Sequence, residues 1–304
     1  MYWRTRMKLL LYIRETRPQF LVLSCILIFL ALGMSYYYET MNWVYLILCL
    51  FGLVLLHISV NTINDYCDYR SGIDLQTNRT PFSGGSGLLT EGIISPGEAL
   101  ALGLGSFALA APIGLFFLFV RGVYLLPLFL AGAGLVLLYT VWLTRIGYGI
   151  PEIAAGMGLG TLPVFGTFYI VTGQFDTGAL FASIPSGILV GNLLFLNEFP
   201  DTAADATAGR KTLPIIMGVP AAARLYAATT ILVYIWIVLG CLAQVMPLWT
   251  LLGLLTFPLA WKAITITVNN PRLPAIIPAL ATNVQVVLGT QLLMGLGFII
   301  AHHG

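Results

Sequence analysis

The apolar run WVYLILCLFGLVLLHISVNTI (residues 43–63) continues directly into NDYCD (residues 64–68), and LFASIPSGILVGNLLFL (residues 180–196) continues into NEFPD (residues 197–201). Both polar segments have the pattern Asn-acid-x-x-Asp, and a further aspartate follows each of them, Asp74 and Asp205 respectively. Carboxylates are costly in or near a bilayer. Two matched clusters at the ends of long apolar runs therefore indicate a functional site at a membrane.

The composition indicates a polytopic membrane protein of the all-α class. Of the 304 residues, 59% are hydrophobic and only 9% are charged, and the mean hydropathy is +0.93. A helix needs about 20 apolar residues to cross the hydrocarbon core of a bilayer. By this criterion the chain contains nine predicted spans, at residues 20–38, 43–63, 99–120, 123–143, 150–172, 180–199, 221–245, 248–268 and 275–301.

The basic residues predict the orientation of the chain. With the N-terminus in the cytoplasm, all of the 14 Lys and Arg residues except Arg121 fall in cytoplasmic segments or at the cytoplasmic ends of spans. This is the bias of the positive-inside rule. We therefore expect an integral membrane protein with its N-terminus and active site on the cytoplasmic side and its C-terminus outside. The net charge of +2 follows from this topology and does not indicate nucleic-acid binding.

The repeated pattern also predicts the domain organisation. We expect a single transmembrane domain over residues 1–304, with two four-helix halves at about 20–143 and 150–268 and a ninth helix at 275–301. Internal repeats commonly place a site at the interface of the halves, so we expect a bundle with a central cavity that opens to the cytoplasmic side. Two cytoplasmic loops are predicted to be long, roughly 35 residues after the second span and roughly 20 after the sixth.

Helical spacing predicts how the acidic side chains are presented. If the sixth helix continues beyond the membrane surface, Asn197, Asp201 and Asp205 lie on one face, because residues four apart are neighbours on a helix. Gly72 is expected to end the second helix before Asp74. Mg²⁺ prefers one or two carboxylates per ion, with phosphate and water completing its shell. Two facing clusters are therefore suited to clamp a diphosphate between two Mg²⁺ ions.

A simpler interpretation is that these residues only cap helices or meet water, and it suffices for a single cluster. The repetition of the cluster on one side of the membrane, with Arg79, Arg210 and Lys211 behind the aspartates, favours a site for metal ions and phosphate. The glycine-rich segment 78–87 can add backbone N–H groups that bind phosphate.

These residues resemble the UbiA superfamily of intramembrane aromatic prenyltransferases, nine-helix bundles with two aspartate-rich motifs that face a central cavity. The resemblance covers nearly the whole chain. In the first motif the spacing between Asp68 and Asp74 departs from the commonest form of the superfamily and is similar to its naphthoate-prenylating branch. The second motif is followed by Gly-Arg-Lys-Thr-Leu (residues 209–213), which is similar to a basic run of the family. The resemblance implies metal ligation by Asp65, Asp68, Asp74, Asp201 and Asp205.

The activity implied by this resemblance is transfer of a prenyl chain from a polyprenyl diphosphate to an aromatic acceptor through an allylic carbocation. Two Mg²⁺ ions and cationic side chains would stabilise the departing diphosphate. Tyr139 matches a family tyrosine near the reacting allylic carbon, where its ring face can stabilise positive charge, although a tyrosine at this depth is also typical of an interface anchor. The implied catalytic residues are Asp68, Asp201 and Tyr139. The implied substrate-binding residues are Asn64, Arg79, Arg145, Glu152, Asn197, Arg210 and Lys211.

The acceptor is indicated by the segment Gly-Tyr-Gly-Ile-Pro-Glu (residues 147–152), which is similar to the 1,4-dihydroxy-2-naphthoate prenyltransferases of menaquinone synthesis. Glu152 is expected either to bind the acceptor hydroxyl or to pair with Arg145. Other acceptors of the superfamily remain alternatives: 4-hydroxybenzoate, haem, chlorophyllide and glyceryl phosphate lipid precursors. His57 is expected to be a packing residue or to line the cavity, and Gly156, Gly158 and Gly160 are expected to allow close helix contact.

Two other protein classes also use membrane-embedded acids. A cation transporter would carry ionisable residues near the midplane of several spans, whereas here they gather at the inner surface. A CDP-alcohol phosphotransferase would pack Asp, Gly, Ala and Arg into one run, which this sequence lacks. The expected partners are thus a polyprenyl diphosphate, an aromatic acceptor and the lipid bilayer, without nucleic acid or an obligate protein partner.

Overall fold

The computed structural model describes residues 2–303, with side chains from residue 8 onward. The charges of Arg4 and Arg6, which contribute to the predicted orientation, lie outside the described side chains. Across the described range the chain is helical, with short turns and no strand, and nine of its helices are long and apolar enough to cross a membrane. The all-α class and the nine predicted spans are confirmed.

Besides a 3₁₀ turn at Ile73–Leu75, residues 2–303 form eleven helices, of which α1 and the short α8 are not membrane spans. Their bounds are α1 Tyr2–Glu15, α2 Pro18–Tyr37, α3 Trp43–Ser71, α4 Pro96–Arg121, α5 Val123–Ile146, α6 Ile150–Thr172, α7 Thr177–Thr207, α8 Leu213–Met217, α9 Val219–Leu242, α10 Leu248–Asn269 and α11 Ile277–His303. The division of the chain into two halves remains a prediction from the sequence.

The helices α3 and α7 are longer than the apolar runs from which their spans were predicted. They extend to Ser71 and Thr207, so both Asn-acid-x-x-Asp segments are helical. The prediction that the sixth span continues as a helix is confirmed. The two long loops are consequently shorter than predicted: residues 72–95 separate α3 from α4, and residues 208–218, which include α8, separate α7 from α9. Continuing as a helix lets the backbone N–H and C=O groups of these polar segments bond to each other, whereas in a loop many of them would need water as a partner.

Two consecutive spans each depart from regular α-helix over five residues. The chain forms a π-helical turn at Tyr139–Leu143 in α5 and another at Met157–Thr161 in α6. Such turns add a residue to one helical turn and occur frequently at functional sites. Asn64 of α3 donates a hydrogen bond of 3.1 Å from its Nδ2 to the Oγ1 of Thr140. This bond connects the π-helical turn of α5 to the first acidic segment.

Large apolar side chains cover the outside of the bundle, as expected for contact with lipid. Phe119, Tyr124 and Leu242 are 88%, 85% and 74% exposed. Inside, the main core cluster is formed by residues of α2, α6, α7, α9, α10 and α11. Lipid tails are as apolar as the helix surfaces, so the hydrophobic effect does not drive the helices together within the bilayer. Close van der Waals packing holds them together instead.

Glycines provide the closest helix contacts, as predicted for α6. A Cβ added at Gly160 would lie 2.6 Å from the carbonyl oxygen of Ser186 and 2.7 Å from the Cα of Gly187. Gly156 faces the backbone of Gly187 in the same way. The α6 and α7 backbones therefore touch, which brings the second acidic segment of α7 against α6.

We predict that Gly160→Ala destabilises the protein by about 1–3 kcal/mol, because the new methyl group has only backbone to displace. Thermal unfolding of the purified protein in detergent would measure the effect. Gly134→Ala is the matched control, since a Cβ at that helical position meets no other atom within 4 Å. Equal thermal midpoints for the two variants would contradict the proposed contact.

Candidate active site

Both acidic segments line a single cavity of about 300 Å³ inside the bundle. The cavity has a polar end and an apolar remainder formed by leucines and valines of several helices. The structure brings eight of the residues predicted from the sequence to this cavity: Asn64, Asp68, Asp74, Tyr139, Asn197, Asp201, Asp205 and Arg210. The polar end is thus built from α3, α5, α7 and the two connecting segments that follow α3 and α7.

The first acidic segment reaches the cavity through a helix end. Asp68 lies in the last turn of α3, and Gly72 ends the helix in the left-handed conformation, with φ of 79°. A 3₁₀ turn at Ile73–Leu75 then carries Asp74 back toward the cavity. The predicted break at Gly72 is confirmed, and it explains how an aspartate six positions after Asp68 faces the same space.

The second segment reaches the cavity along one helix face. Asn197, Asp201 and Asp205 follow each other at intervals of four residues in α7, and all three line the cavity, as predicted. Ser83 of the glycine-rich segment donates a long hydrogen bond of 3.4 Å from its Oγ to the Oδ1 of Asp201. The loop after α3 therefore contacts both acidic segments.

Arg210 joins the two segments. Its Nη1 donates to the Oδ1 of Asp205 at 2.8 Å, and its Nη2 donates to the Oδ1 of Asp68. The side chains of Arg210, Asp68 and Asp205 are only 13%, 11% and 4% exposed, so these are buried ion pairs. One guanidinium compensates two carboxylates that come from different halves of the sequence.

The glycine-rich segment covers the first acidic segment with its backbone. The amide of Ser86 donates a hydrogen bond of 2.7 Å to the Oδ2 of Asp65. Gly85 has φ of 70°, and a Cβ there would lie 3.1 Å from the Oδ2 of Asp74 and 3.4 Å from the Oδ1 of Asp65. Only glycine combines this conformation with so close an approach to two carboxylates.

The junction between α1 and α2 also belongs to the site, although the sequence patterns did not reveal it. Arg17 lines the cavity, its Nη1 lies 3.6 Å from the Oδ1 of Asp65, and its guanidinium stacks over the ring of Phe20 at 4.5 Å. Next to it, fully buried Glu15 accepts a hydrogen bond of 2.7 Å at its Oε2 from the Oγ of Ser86. From the sequence, Arg17 was used only as one of the positive charges that predict the orientation, because nothing in its spacing connects it to Asp65.

Burial changes the pKa of two carboxyl groups outside the membrane spans. The pKa of Glu15 is raised to about 7, mainly by burial and then by the charge of Asp65. The pKa of Asp74 is also raised to about 7, again mainly by burial and then by Asp65. Both groups favour an added proton or a nearby cation.

Several predicted residues lie outside the cavity wall. Arg79 forms an ion pair of 2.9 Å with Glu91, between Nη1 and Oε1, and its Nη2 donates to Thr90. Lys211 is exposed to solvent. A second cavity is lined by Asp68 and Arg210 together with Arg70 and Arg145. The assignment of Arg79, Lys211 and Arg145 to substrate binding remains a prediction.

The expected pairing of Glu152 with Arg145 is absent from the structure. Glu152 is 5% exposed, and its Oε1 accepts a hydrogen bond of 2.7 Å from the backbone N–H of Leu213. Arg145 is exposed at the end of α5, where water solvates its charge better than a buried partner would. The residue beside Glu152 is Glu198, which lines the cavity. Glu198 occupies the acid position of the second Asn-acid-x-x-Asp segment, a signal that the sequence carried and that was not assigned a role.

His57 also lines the cavity. The imidazole is 3% exposed, and its Nδ1 lies 2.9 Å from the Oγ of Ser24. Its neighbours on the wall include Leu23, Leu53 and Val60. His57 is therefore both a hydrogen-bonded packing residue and part of the cavity wall, so the two expectations are compatible.

The polar end fits a hard divalent cation by its chemistry. Its donors are carboxylate and amide oxygens, which Mg²⁺ and Ca²⁺ prefer over nitrogen or sulfur. Among the residues whose side chains are described, no three acids, histidines or cysteines stand close enough together to hold an ion without movement. Arg210 lies between Asp68 and Asp205 and supplies the positive charge that keeps both carboxylates buried.

We predict that Arg210→Gln destabilises the protein by about 3–5 kcal/mol in the presence of EDTA, because removal of one partner leaves two buried carboxylates uncompensated. Lys211→Gln, at the exposed neighbouring position, should change stability by less than about 0.5 kcal/mol. Thermal unfolding of both variants in detergent tests the bridge. Similar midpoints would show that Arg210 does not stabilise the two segments.

We predict that Glu15→Gln raises the thermal midpoint at pH 8 and leaves it nearly unchanged at pH 4. Because folding raises the pKa of Glu15, its contribution to stability is fully present below the unfolded-state pKa of about 4.3. This contribution is lost as the pH rises through the folded-state pKa of about 7. Gln keeps an oxygen that accepts the hydrogen bond from Ser86 and carries no charge to bury. A midpoint difference that is independent of pH would contradict this role of burial.

Comparisons with known proteins agree with this architecture. Residues 22–283 match the UbiA prenyltransferase family. The chain is 27% identical to a 1,4-dihydroxy-2-naphthoate octaprenyltransferase of Bacillus subtilis over 94% of this chain and 91% of that protein, and 31% identical to the protein of the same name from Haemophilus influenzae over 69% and 70%.

Among solved structures, the fold resembles that of a UbiA homologue from Aeropyrum pernix K1, with a TM-score of 0.70 and 19% identity over 93% of this chain and 98% of that one. It also resembles a UbiA homologue from Archaeoglobus fulgidus bound to GPP and Mg²⁺, with a TM-score of 0.63 and 15% identity over 95% and 99%. The family match covers most of the sequence and agrees with the nine-helix fold. The chain therefore belongs to the UbiA prenyltransferase family and is a membrane-embedded transferase of prenyl groups.

Proposed function

We propose that this protein transfers a polyprenyl chain from its diphosphate to 1,4-dihydroxy-2-naphthoate, a reaction of menaquinone biosynthesis. One observation carries the proposal: two acidic segments meet at the polar end of a cavity whose remainder is apolar. A diphosphate with a long hydrocarbon tail has the same division into a charged head and an apolar chain.

The diphosphate head would bind at the polar end. We propose that Asp68, Asp74, Asp201 and Asp205 hold two Mg²⁺ ions there, with Asp65 as a further ligand. Bound Mg²⁺ neutralises charge on the phosphate oxygens. The solved Archaeoglobus fulgidus homologue with GPP and Mg²⁺ supports this assignment by likeness of fold.

Protein groups would complete the binding of the head. Arg210 carries two N–H groups aimed at carboxylates, and the same groups can donate to phosphate oxygens. Arg17 adds a second guanidinium on the cavity wall. The backbone of the segment around Gly84 and Gly85 lines the cavity and can donate N–H groups.

The tail and the reacting carbon would lie in the apolar part. Leu53, Leu56, Leu193 and Leu288 are among its lining residues, and they exclude the water that would quench an allylic cation. Tyr139 lines the cavity, where its ring face can stabilise the positive charge that develops as the allylic carbon–oxygen bond breaks. A π-helical turn begins at Tyr139, and this supports the role because such turns occur frequently at functional sites.

The acceptor is proposed from the relatives and from residues 147–152. Relatives from Bacillus subtilis, Haemophilus influenzae and Mycobacterium tuberculosis carry the name 1,4-dihydroxy-2-naphthoate octaprenyltransferase. A polar acceptor needs hydrogen-bonding groups beside the allylic carbon, and Glu198, Asn197 and Thr212 line the cavity there. Transfer to 4-hydroxybenzoate, haem, chlorophyllide or a glyceryl phosphate is the alternative within the family, and family membership disfavours a cation transporter.

We also propose that the polar end faces the cytoplasm, with the C-terminus on the other side. The distribution of Lys and Arg supports this orientation through the positive-inside rule. The soluble substrate and diphosphate would then exchange with the cytoplasm, while the prenyl tail stays among the helices.

We predict that Asp68→Ala and Asp201→Ala each abolish prenyl transfer while the protein still inserts in the membrane. Each variant removes an oxygen ligand from a different acidic segment, and loss of charge stabilisation at one site commonly costs about 10²–10³ in rate. The measurement is product formation by purified protein in detergent with geranylgeranyl or farnesyl diphosphate, Mg²⁺ and 1,4-dihydroxy-2-naphthoate.

Glu39→Gln is the matched control, because Glu39 is exposed at the opposite end of α3 from the first acidic segment. An EDTA arm tests the metal, and a 4-hydroxybenzoate arm tests the acceptor. Activity retained by both aspartate variants would refute the metal assignment. Product formed with the benzoate alone would keep the family activity and change the pathway.

A further inference from the structure

Two buried glutamates adjoin the cavity beside Tyr139. Glu198 of α7 lines the cavity and is 6% exposed, and Glu152 of α6 lies behind it and is 5% exposed. The carboxyl groups of the two residues are within hydrogen-bonding reach of each other. The close contact between the α6 and α7 backbones brings them together.

Hydrogen bonding in this pair requires a proton. Glu152 accepts an N–H bond from Leu213 at its Oε1, whereas the Oε2 atoms of Glu152 and Glu198 have no donor among the described residues. Two ionised carboxylates offer only acceptors and repel each other in a low-dielectric interior. A single proton shared between them supplies the missing donor and leaves one negative charge on the pair.

The surroundings favour an uncharged polar group, such as a hydroxyl, at this point of the cavity. The nearest cation, Arg210, already bonds to Asp68 and Asp205. Thr212 lines the cavity and precedes Leu213, whose N–H binds Glu152. It is 2% exposed, and its Oγ1 has no hydrogen-bond partner in the described part of the chain. A hydroxyl group that entered between Thr212 and Glu198 would meet both a donor and an acceptor.

We propose that Glu198 and Glu152 together accept the hydroxyl proton of the aromatic acceptor, an inference that rests on the proposed prenyl transfer. As the acceptor hydroxyl gives its proton to Glu198, the shared proton passes to Glu152. The pair thereby changes from one negative charge to none, which an apolar site favours. The N–H of Leu213 holds Glu152 in place behind Glu198.

The bonds and charges of this step balance. The allylic C–O bond breaks and its electron pair leaves with diphosphate, while ring electrons form the new C–C bond and the O–H electrons close a C=O bond. Aromaticity returns when the substituted carbon loses its proton to water or, from a carboxylated carbon, loses CO₂. The ring oxygen then takes a proton back from the pair, which returns to its starting state.

The experiment compares Glu198→Gln and Glu152→Gln with wild-type protein, using Glu39→Gln as the control. Gln keeps the shape and removes proton acceptance. We expect kcat for the hydroxylated acceptor to fall about 10²–10⁴-fold in both variants, the usual contribution of a positioned base. Calorimetric affinity for the prenyl diphosphate with Mg²⁺ should stay at the wild-type value, and the thermal midpoint should not fall, because Gln removes a buried charge without changing the packing.

A second arm uses acceptor analogues that carry an electron-withdrawing substituent on a ring carbon other than the one that is prenylated. Such substituents make the hydroxyl more acidic. The deficit of the Gln variants relative to wild type should shrink as hydroxyl acidity increases, because less help is needed to remove the proton. A purely structural role would give the same deficit with every analogue and would overturn the proposal.

The outcomes distinguish failure of the proton-accepting role from failure of the proposed prenyl transfer. Gln variants that keep kcat within about threefold of wild type would overturn the role of the pair and leave prenyl transfer intact. Gln variants that lose prenyl diphosphate affinity would assign the pair to the diphosphate site and overturn it as well. Wild-type protein that transfers no prenyl group to any aromatic acceptor would overturn the proposed function, and the proton-accepting role with it.

Discussion

The bridge from Arg210 to Asp68 and Asp205 is the interaction on which the site depends. Five or more carboxyl groups gather at one end of a membrane bundle, and each would be costly if it were ionised without a partner. One guanidinium from the segment after α7 holds the last turn of α3 against α7. This bridge holds the two acidic segments close together at the polar end of the cavity. The positive charge of Arg210 is also available to phosphate oxygens when a prenyl diphosphate is bound.

Around this bridge, short contacts bring distant segments to the acids. The glycine-rich loop after α3 binds Asp65 through the amide of Ser86, and the α1–α2 junction places Arg17 against the same aspartate. On the other wall, glycine-mediated contact between α6 and α7 sets Glu152 behind Glu198. The polar end thus brings together, in one cavity, the residues of the three proposed functions: anion binding, cation stabilisation at Tyr139, and proton acceptance.

The fold was predictable from the sequence because the bilayer limits the choices: nine apolar runs became nine spans, and the four-residue spacing in α7 placed Asn197, Asp201 and Asp205 on one face. Helix ends were less predictable, since hydropathy detects lipid contact and α3 and α7 continue beyond it. The contact of Arg17 with Asp65 and that of Glu198 with Glu152 could not be predicted, although Glu198 itself stands at the acid position of the repeated pattern. Each depends on contact between segments far apart in the chain, and local spacing carries no signal for such contacts.

The helix end at Gly72 makes the two acidic segments differ in how they tolerate changes of length. Asp68 and Asp74 are related by a turn, so residues gained or lost after Gly72 would move Asp74 without rotating Asp68. Asn197, Asp201 and Asp205 share one continuous helix, where a single inserted residue would swing every later side chain by about 100° around the axis. Insertions and deletions should therefore accumulate in the first segment, while the register of the second stays constant.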